Sequence, residues 1–245
     1  MEIYLDLENT LFNDNKTLDS QGASLLKKLA EDNRVVILTT GVLKNAKCLF
    51  SIPNLEIVST LENKVYQNNM YQFLPLNSDI VKDLLDSSYV YTIYGVHEDT
   101  VYIMKYQERM KSFYPCSRIQ ICSSFPSTIS SIIVAVWNEG LNWIIKLFKD
   151  YKIITLASDS KKTLLLISRT VSTKEAWLLK LKKSPAIAIG DSFTDYDFIK
   201  HCEIQVAMKN GEDELKAVCQ FQTEKSNQNN GALDFILNYL KHQQA

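Results

Sequence analysis

Four apolar residues in a row, Val35-Val36-Ile37-Leu38, lie between Arg34 and the polar run Thr39-Thr40-Gly41, and three of the four are β-branched. A strand with apolar side chains on both faces needs a cover over both, which is the setting of a parallel sheet flanked by helices. The preceding segment fits that setting. Residues 2–7 read as a short apolar strand, and Ser20–Asp32 carries Ala23, Leu25, Leu26, Leu29 and Ala30 at helical spacing, with Asp19 or Ser20 as N-cap. Strand, helix, strand implies a right-handed crossover.

The same rhythm returns late in the chain. A helix is expected over 173–183, a strand over 186–189, a helix from Thr194, a strand at Ile204–Ala207, a helix near Asp213–Val218 and a last helix over 232–241. The middle differs. Residues 89–94 and Thr100–Lys105 flank Gly95-Val96-His97-Glu98-Asp99 as a hairpin, Ser131–Trp137 reads as a strand, 141–150 as a helix, and 152–157 with 163–168 as a second hairpin. The expected fold class is therefore α/β: a doubly wound, Rossmann-like parallel-sheet core over 1–75 and 168–245, interrupted by an inserted α+β unit over 76–167.

Composition narrows the partners. Lys and Arg number 27 against 28 Asp and Glu, a net charge of -1, so the basic field that drives non-specific nucleic-acid binding is missing. A small-molecule partner is expected instead, with no nucleic acid. The five cysteines Cys48, Cys116, Cys122, Cys202 and Cys219 form no C-x-x-C pair, and the three histidines are scattered, which argues against a disulfide framework or a zinc site. A cytoplasmic setting is expected, with no membrane association: no apolar run approaches spanning length, and Met1-Glu2-Ile3-Tyr4-Leu5-Asp6 lacks a basic region followed by an apolar one.

Four groups of residues carry possible chemistry, each at a strand end or helix start. Asp6 and Glu8 follow the first strand; a carboxylate there can attack phosphorus, while a second acid protonates the leaving oxygen and later deprotonates water. Thr39-Thr40-Gly41 offers hydroxyls and N–H groups suited to a phosphate oxygen. Lys174 enters a helix N-terminus, against the macrodipole. Asp191 and Asp195 follow the strand Ile187-Ala188-Ile189, and carboxylates at such an edge can hold magnesium. Each group also has an ordinary reading: a turn aspartate, a helix N-cap, a solvent-facing lysine beside a Ser172–Glu175 capping box, and a second N-cap. Their common place at one edge of one sheet, where open parallel sheets bind ligands, favours the chemical reading.

In this order the groups resemble the haloacid dehalogenase superfamily of phosphohydrolases, specifically its Cof-type members with a large α/β cap. The matches are Asp6-x-Glu8-x-Thr10, Thr40-Gly41, Lys174 and Gly190-Asp191-x-x-x-Asp195, with Val206-Ala207-Met208 through Lys216 and Asn229-Asn230-Gly231-Ala232 resembling the ends of such proteins. The resemblance implies Asp6 as nucleophile, Glu8 as acid/base, Thr40, Gly41 and Lys174 as phosphate binders, and Mg²⁺ held by Asp6, Asp191 and the main-chain carbonyl of Glu8, with Asp195 supporting. It implies an aspartyl-phosphate intermediate and a small phosphorylated substrate, such as a sugar phosphate or phosphorylated cofactor. Four residues depart from the family pattern: Glu8 stands in place of Asp, Asn9 in place of Gly, Val42 in place of a frequent Arg, and Thr194 where Asn is common. A phosphomutase or phosphotransferase, or a member that binds a phosphorylated ligand without turnover, are the alternatives these departures keep open.

Overall fold

The computed structural model describes residues 1–67, 70–72, 79–97, 100–105, 118–126, 129, 131–168 and 173–243. The chain opens with β1 (Glu2–Asp6), α1 (Ser20–Asp32), β2 (Arg34–Thr39), β3 (Leu55–Ser59), β4 (Lys64–Gln67) and β5 (Met70–Gln72). It continues through α2 (Asp79–Asp86), β6 (Val90–His97), β7 (Thr100–Lys105), β8 (Arg118–Ile121), β9 (Ser131–Trp137), α3 (Leu141–Leu147), β10 (Lys152–Ser158) and β11 (Lys162–Ser168). It closes with α4 (Lys174–Leu181), β12 (Ala186–Gly190), α5 (Tyr196–Ile199), β13 (Ile204–Ala207), α6 (Asp213–Val218), β14 (Phe221–Gln222) and α7 (Gly231–Gln243). Contacts divide it into two compact units, one of Met1–Thr60, Val65–Tyr71 and Thr173–Ala245, the other of Leu61–Lys64 and Gln72–Ser172.

The first unit is built on an eight-stranded sheet in the order β14-β13-β12-β1-β2-β3-β4-β5. From β14 to β3 every pairing is parallel, with Leu5 opposite both Ile37 and Ile189. Alternation of side chains then feeds two cores. Ile3, Leu5, Val35, Ile37, Ile57, Ile187 and Ile189 pack with Leu26 and Leu29 of α1 and Leu233 and Ile236 of α7. Tyr4, Val36, Leu38, Val58, Ala186 and Ala188 pack with Trp177 and Leu178 of α4, Phe198 and Ile199 of α5, and Leu215 of α6. That is the doubly wound arrangement the buried runs demand. Each fully buried aliphatic or aromatic side chain contributes about 1.5–3 kcal/mol.

The far edge of this sheet, where the strands begin, is tied by Arg34. Its Nε and Nη2 bond to the Glu56 carboxylate at 2.6 and 3.0 Å, and Nη1 reaches Glu2 Oε1 at 2.8 Å and the Leu181 carbonyl at 2.7 Å. One guanidinium thus joins β1, β2, β3 and the end of α4.

The second unit is a six-stranded sheet, β10-β11-β9-β6-β7-β8, antiparallel except for the β7–β8 pair. Val90, Ile93, Ile132, Val134, Val136, Leu165 and Ile167 pack against Val81 and Leu84 of α2 and Ile144 and Phe148 of α3 and its end. The α+β character expected of the insertion is what the described residues show. No helix of the described residues is long and apolar enough to cross a membrane.

Some details differ from the sequence reading. The helix expected over 141–150 stops at Leu147, where Phe148 turns to seal the core. The helix expected from Thr194 begins as a single tight turn, Phe193–Asp195, before α5. The segment 40–75 supplies three strands the sequence reading left unassigned. The domain boundary at residue 75, Glu98 and Asp99 of the first hairpin turn, Cys116 and Ser172 lie outside the described residues.

Leu26, fully buried between α1 and the sheet, tests the packing: Leu26→Ala is expected to destabilise the protein by about 2–5 kcal/mol, read as a lowered urea midpoint with an unchanged slope.

Candidate active site

Parallel register brings the candidate groups to one edge. Asp6 ends β1 opposite Leu38, one residue before Thr39 on β2, and one step past the Leu5–Ile189 pair that aligns β1 with β12. Asp191 follows directly from Gly190, the last residue of β12. Residues distant in sequence therefore meet at the carboxyl ends of three adjacent strands, the edge at which open α/β sheets bind ligands.

Lys174 completes the group. It is the first residue of α4, whose N-cap Thr173 accepts the Ala176 N–H at 3.0 Å. An ammonium at this helix end opposes the macrodipole, and two carboxylates outweigh that cost: Lys174 Nζ donates to Asp6 Oδ1 and, at 2.7 Å, to Asp195 Oδ1. Burial works against the charged lysine, but the Asp6 and Asp195 charges overcome it and hold its pKa above the ordinary lysine value. Burial likewise pushes the Asp6 carboxyl up, and the Lys174 ammonium opposes that push. Ionisation of Asp6 thus depends on Lys174.

The loop after β12 is braced by Asp195. Its Oδ2 accepts the N–H groups of Asp191 and Ser192 at 3.2 and 3.1 Å, and Ser192 with Asp195 forms a capping box over the short turn. A Cβ at Gly190 would lie 2.6 Å from Asp195 Oδ2, so only glycine lets the brace approach. The stretch after β13 clamps the loop from outside: Met208 N–H donates to the Gly190 carbonyl at 2.9 Å, Glu212 N–H to the Asp191 carbonyl at 2.7 Å, and Phe193 N–H to Glu212 Oε2 at 2.6 Å. Asp191 itself is half-buried, accepts the Thr10 hydroxyl at 3.3 Å, and has its pKa raised first by burial and then by the Asp195 charge.

Glu8 lies on the other side of Asp6, in the turn Leu7–Leu11. Asn9 there has φ of 56°, in the left-handed region where a glycine is usual and asparagine is the best tolerated alternative. The departure at position 9 is thus accommodated by the backbone. The Glu8 carboxylate is held by Thr39, whose hydroxyl lies 2.8 Å from both Oε atoms and accepts the Gly41 N–H at 2.8 Å. Thr40, the residue singled out from the sequence, is exposed at the strand end, whereas Thr39 is fully buried. Val42 is buried and presents no charge. Thr194 bonds Ser192 Oγ at 2.9 Å and is exposed, away from the acids' own hydrogen bonds.

Asp6, Lys174, Asp191 and Asp195 are therefore together, with Glu8 in the turn after β1, bonded to Thr39 at the neighbouring strand end. Thr39, Thr10 and Glu212 were not assigned roles from the sequence; Thr10 had a signal as the last member of Asp6-x-Glu8-x-Thr10, and Thr39 as the first of Thr39-Thr40-Gly41. His201 pairs with Glu175 at 2.7 Å and takes no part in the acid cluster.

The donor set fits a hard divalent cation. One carboxylate oxygen from each of Asp6, Asp191 and Asp195 lies within 4.8 Å of the others. Asp195 already spends both oxygens on Lys174 and two N–H groups, which leaves Asp6 and Asp191 as donors. One or two carboxylates with waters is the coordination magnesium takes.

A family model described as haloacid dehalogenase-like hydrolase matches residues 3–236. The 5-amino-6-(5-phospho-D-ribitylamino)uracil phosphatase YitU of Bacillus subtilis (strain 168) is 22% identical, over 97% of this chain and 96% of its own. Among solved structures, a haloacid dehalogenase-like hydrolase from Bacteroides thetaiotaomicron superposes with a TM-score of 0.69 at 17% identity, covering 97% of this chain and 98% of that one. BT1666 from the same organism, described among phosphatases of that superfamily, gives 0.70 at 13% identity over 97% and 94%.

The crowded acids make a stability prediction. Asp191 has a folded pKa above its unfolded value, so its ionised form costs stability, increasingly as pH rises through the carboxylate range. Asp191→Asn should raise the melting temperature in chelator at pH 7, and the gain should shrink towards pH 4. A lowered melting temperature at pH 7 would contradict this.

Proposed function

The chain belongs to the haloacid dehalogenase-like hydrolase family, and on that premise we propose that it is a Mg²⁺-dependent phosphomonoesterase acting on a small phosphorylated metabolite through an aspartyl-phosphate on Asp6. The observation that carries the reading is Lys174 bonded to both Asp6 and Asp195 beside Asp191 at the carboxyl edge of the sheet. Mg²⁺, held by Asp6, Asp191 and the Glu8 main-chain carbonyl, would supply neutralisation of the phosphoryl oxygens.

The chain's own residues account for the rest. The Asp6 carboxylate forms a bond to phosphorus as the ester P–O bond breaks, and the protonated Glu8 gives its proton to the departing alcohol oxygen. Glu8, now a carboxylate, takes a proton from water; the hydroxide attacks phosphorus, the Asp6 P–O bond breaks, and inorganic phosphate and a protonated Glu8 result. The Lys174 ammonium favours the ionised form of Asp6 against the push of burial and, with the Thr40 hydroxyl and the backbone around Gly41, meets the transferring group. Such transfer is mostly positioning and charge stabilisation, which is what these groups offer.

We assign residues 1–75 and 168–245 as the catalytic core and 76–167 as a cap that selects the substrate. The phosphatase from B. subtilis carries a phosphorylated ribityl chain in its substrate name, so primary phosphate esters of sugars, polyols and cofactors are the class to screen first. Phosphotransfer to a second alcohol remains the alternative that the Glu8 substitution raises.

A screen of such esters should show phosphate release that requires Mg²⁺ and is lost on chelation. Asp6→Asn should abolish it, and Glu8→Gln should slow it by about 10²–10⁴-fold. Release undiminished in Asp6→Asn would refute the proposal.

A further inference from the structure

Glu8 carries one methylene more than the aspartate the family resemblance places there, so its carboxyl has an additional rotatable bond with which to miss its target. The structure contains a device that removes this freedom. Thr39 is fully buried at the end of β2. Its carbonyl accepts the Thr60 N–H at 2.9 Å and its hydroxyl accepts the Gly41 N–H at 2.8 Å, so backbone and side chain are both fixed. A β-branched side chain has few χ1 choices to begin with. With the Gly41 N–H taking an acceptor site on the hydroxyl, its one hydrogen is left for the Glu8 carboxylate, whose two oxygens both lie 2.8 Å away.

Room for this contact comes from position 41. A Cβ there would lie 2.9 Å from Glu8 Oε1 and 3.2 Å from Thr39 Oγ1. Gly41 is in turn held by Ser59, the register partner of Thr39 on β3, whose hydroxyl donates to the Gly41 carbonyl at 2.7 Å. Two adjacent strand ends thus build a seat for a glutamate carboxyl.

We propose that Thr39 is a positioning residue for the proton-transfer steps: it fixes the longer Glu8 side chain so that its carboxyl serves as acid and base where a shorter aspartate is usual. The inference rests on the phosphatase reading, in which Glu8 carries the proton. It makes Glu8 and Thr39 one unit. An aspartate at position 8 falls short of the Thr39 hydroxyl, and Glu8→Asp therefore lowers turnover instead of restoring the family's residue to advantage.

The test separates positioning from general damage. Thr39→Val keeps the shape and removes the donor; Thr39→Ser keeps the donor. kcat/KM reads the steps up to departure of the leaving group, and acid catalysis matters most when that group is a poor one. For an alkyl phosphate, Thr39→Val should lose about 10–100-fold in kcat/KM, while for a nitrophenyl phosphate the loss should be slight. Thr39→Ser should recover the alkyl ester to within about fivefold of wild type. In a Glu8→Gln background Thr39→Val should add little. Equal losses on both esters, or losses that multiply with Glu8→Gln, would overturn the proposal. If the wild type turns over no ester, the phosphatase reading fails on its own, and crystal structures of wild type and Thr39→Val still decide the seat. A Glu8 carboxyl that leaves its place in the variant supports it, and one that stays refutes it.

Discussion

One buried ammonium makes this site possible. Asp6, Asp191 and Asp195 crowd one end of the sheet, Asp6 and Asp195 are almost wholly removed from water, and burying carboxylates without a partner is among the most costly things a fold can do. Lys174 bonds to two of them at once. Such a pair adds little stability compared with a well-packed apolar substitute, and breaking it leaves an uncompensated charge. The arrangement makes sense as a site kept charged for phosphoryl chemistry, and the surrounding structure serves it. Asp195 ties Lys174 to the loop that carries Asp191, Gly190 is bare so that Asp195 can approach, and the stretch 208–212 holds that loop in place.

The sheet explains why the group assembles at all. β1, β2 and β12 are buried on both faces, which fixes them side by side and in parallel, and parallel register then aligns their carboxyl ends. The opposite end needs its own closure, which Arg34 gives by joining Glu2, Glu56 and the end of α4. Chemistry and closure are divided between the two ends of the same strands.

Much of this was legible in the sequence, for a physical reason. Continuous apolar runs such as Val35–Leu38 and Ala186–Ile189 admit few structures, and polar residues at their ends can only lie at a sheet edge. β3 was less legible because its Leu55-Glu56-Ile57 pattern places a charge in a buried position, and the arginine that makes this tolerable lies 22 residues away. The same limit applies in the site. Thr40 looked like the important hydroxyl, since it adjoins Gly41 in the family pattern, whereas alternation along β2 buries Thr39 against Glu8. A side-chain contact across 31 residues leaves no mark on local periodicity. The substitutions at positions 8 and 9 were visible as departures, but only the backbone at Asn9 and the seat around Glu8 show how the chain accommodates them.

The central claim is that phosphate passes through Asp6. Its most direct test is to quench the enzyme during turnover of a phosphate ester with a good leaving group, so that breakdown of the phospho-enzyme is the slow step. Borohydride then reduces any acyl phosphate to an alcohol that mass spectrometry can place in the sequence. The account predicts homoserine at position 6, dependent on substrate and on Mg²⁺. Turnover with an unmodified Asp6, or with the label on another residue, would contradict it.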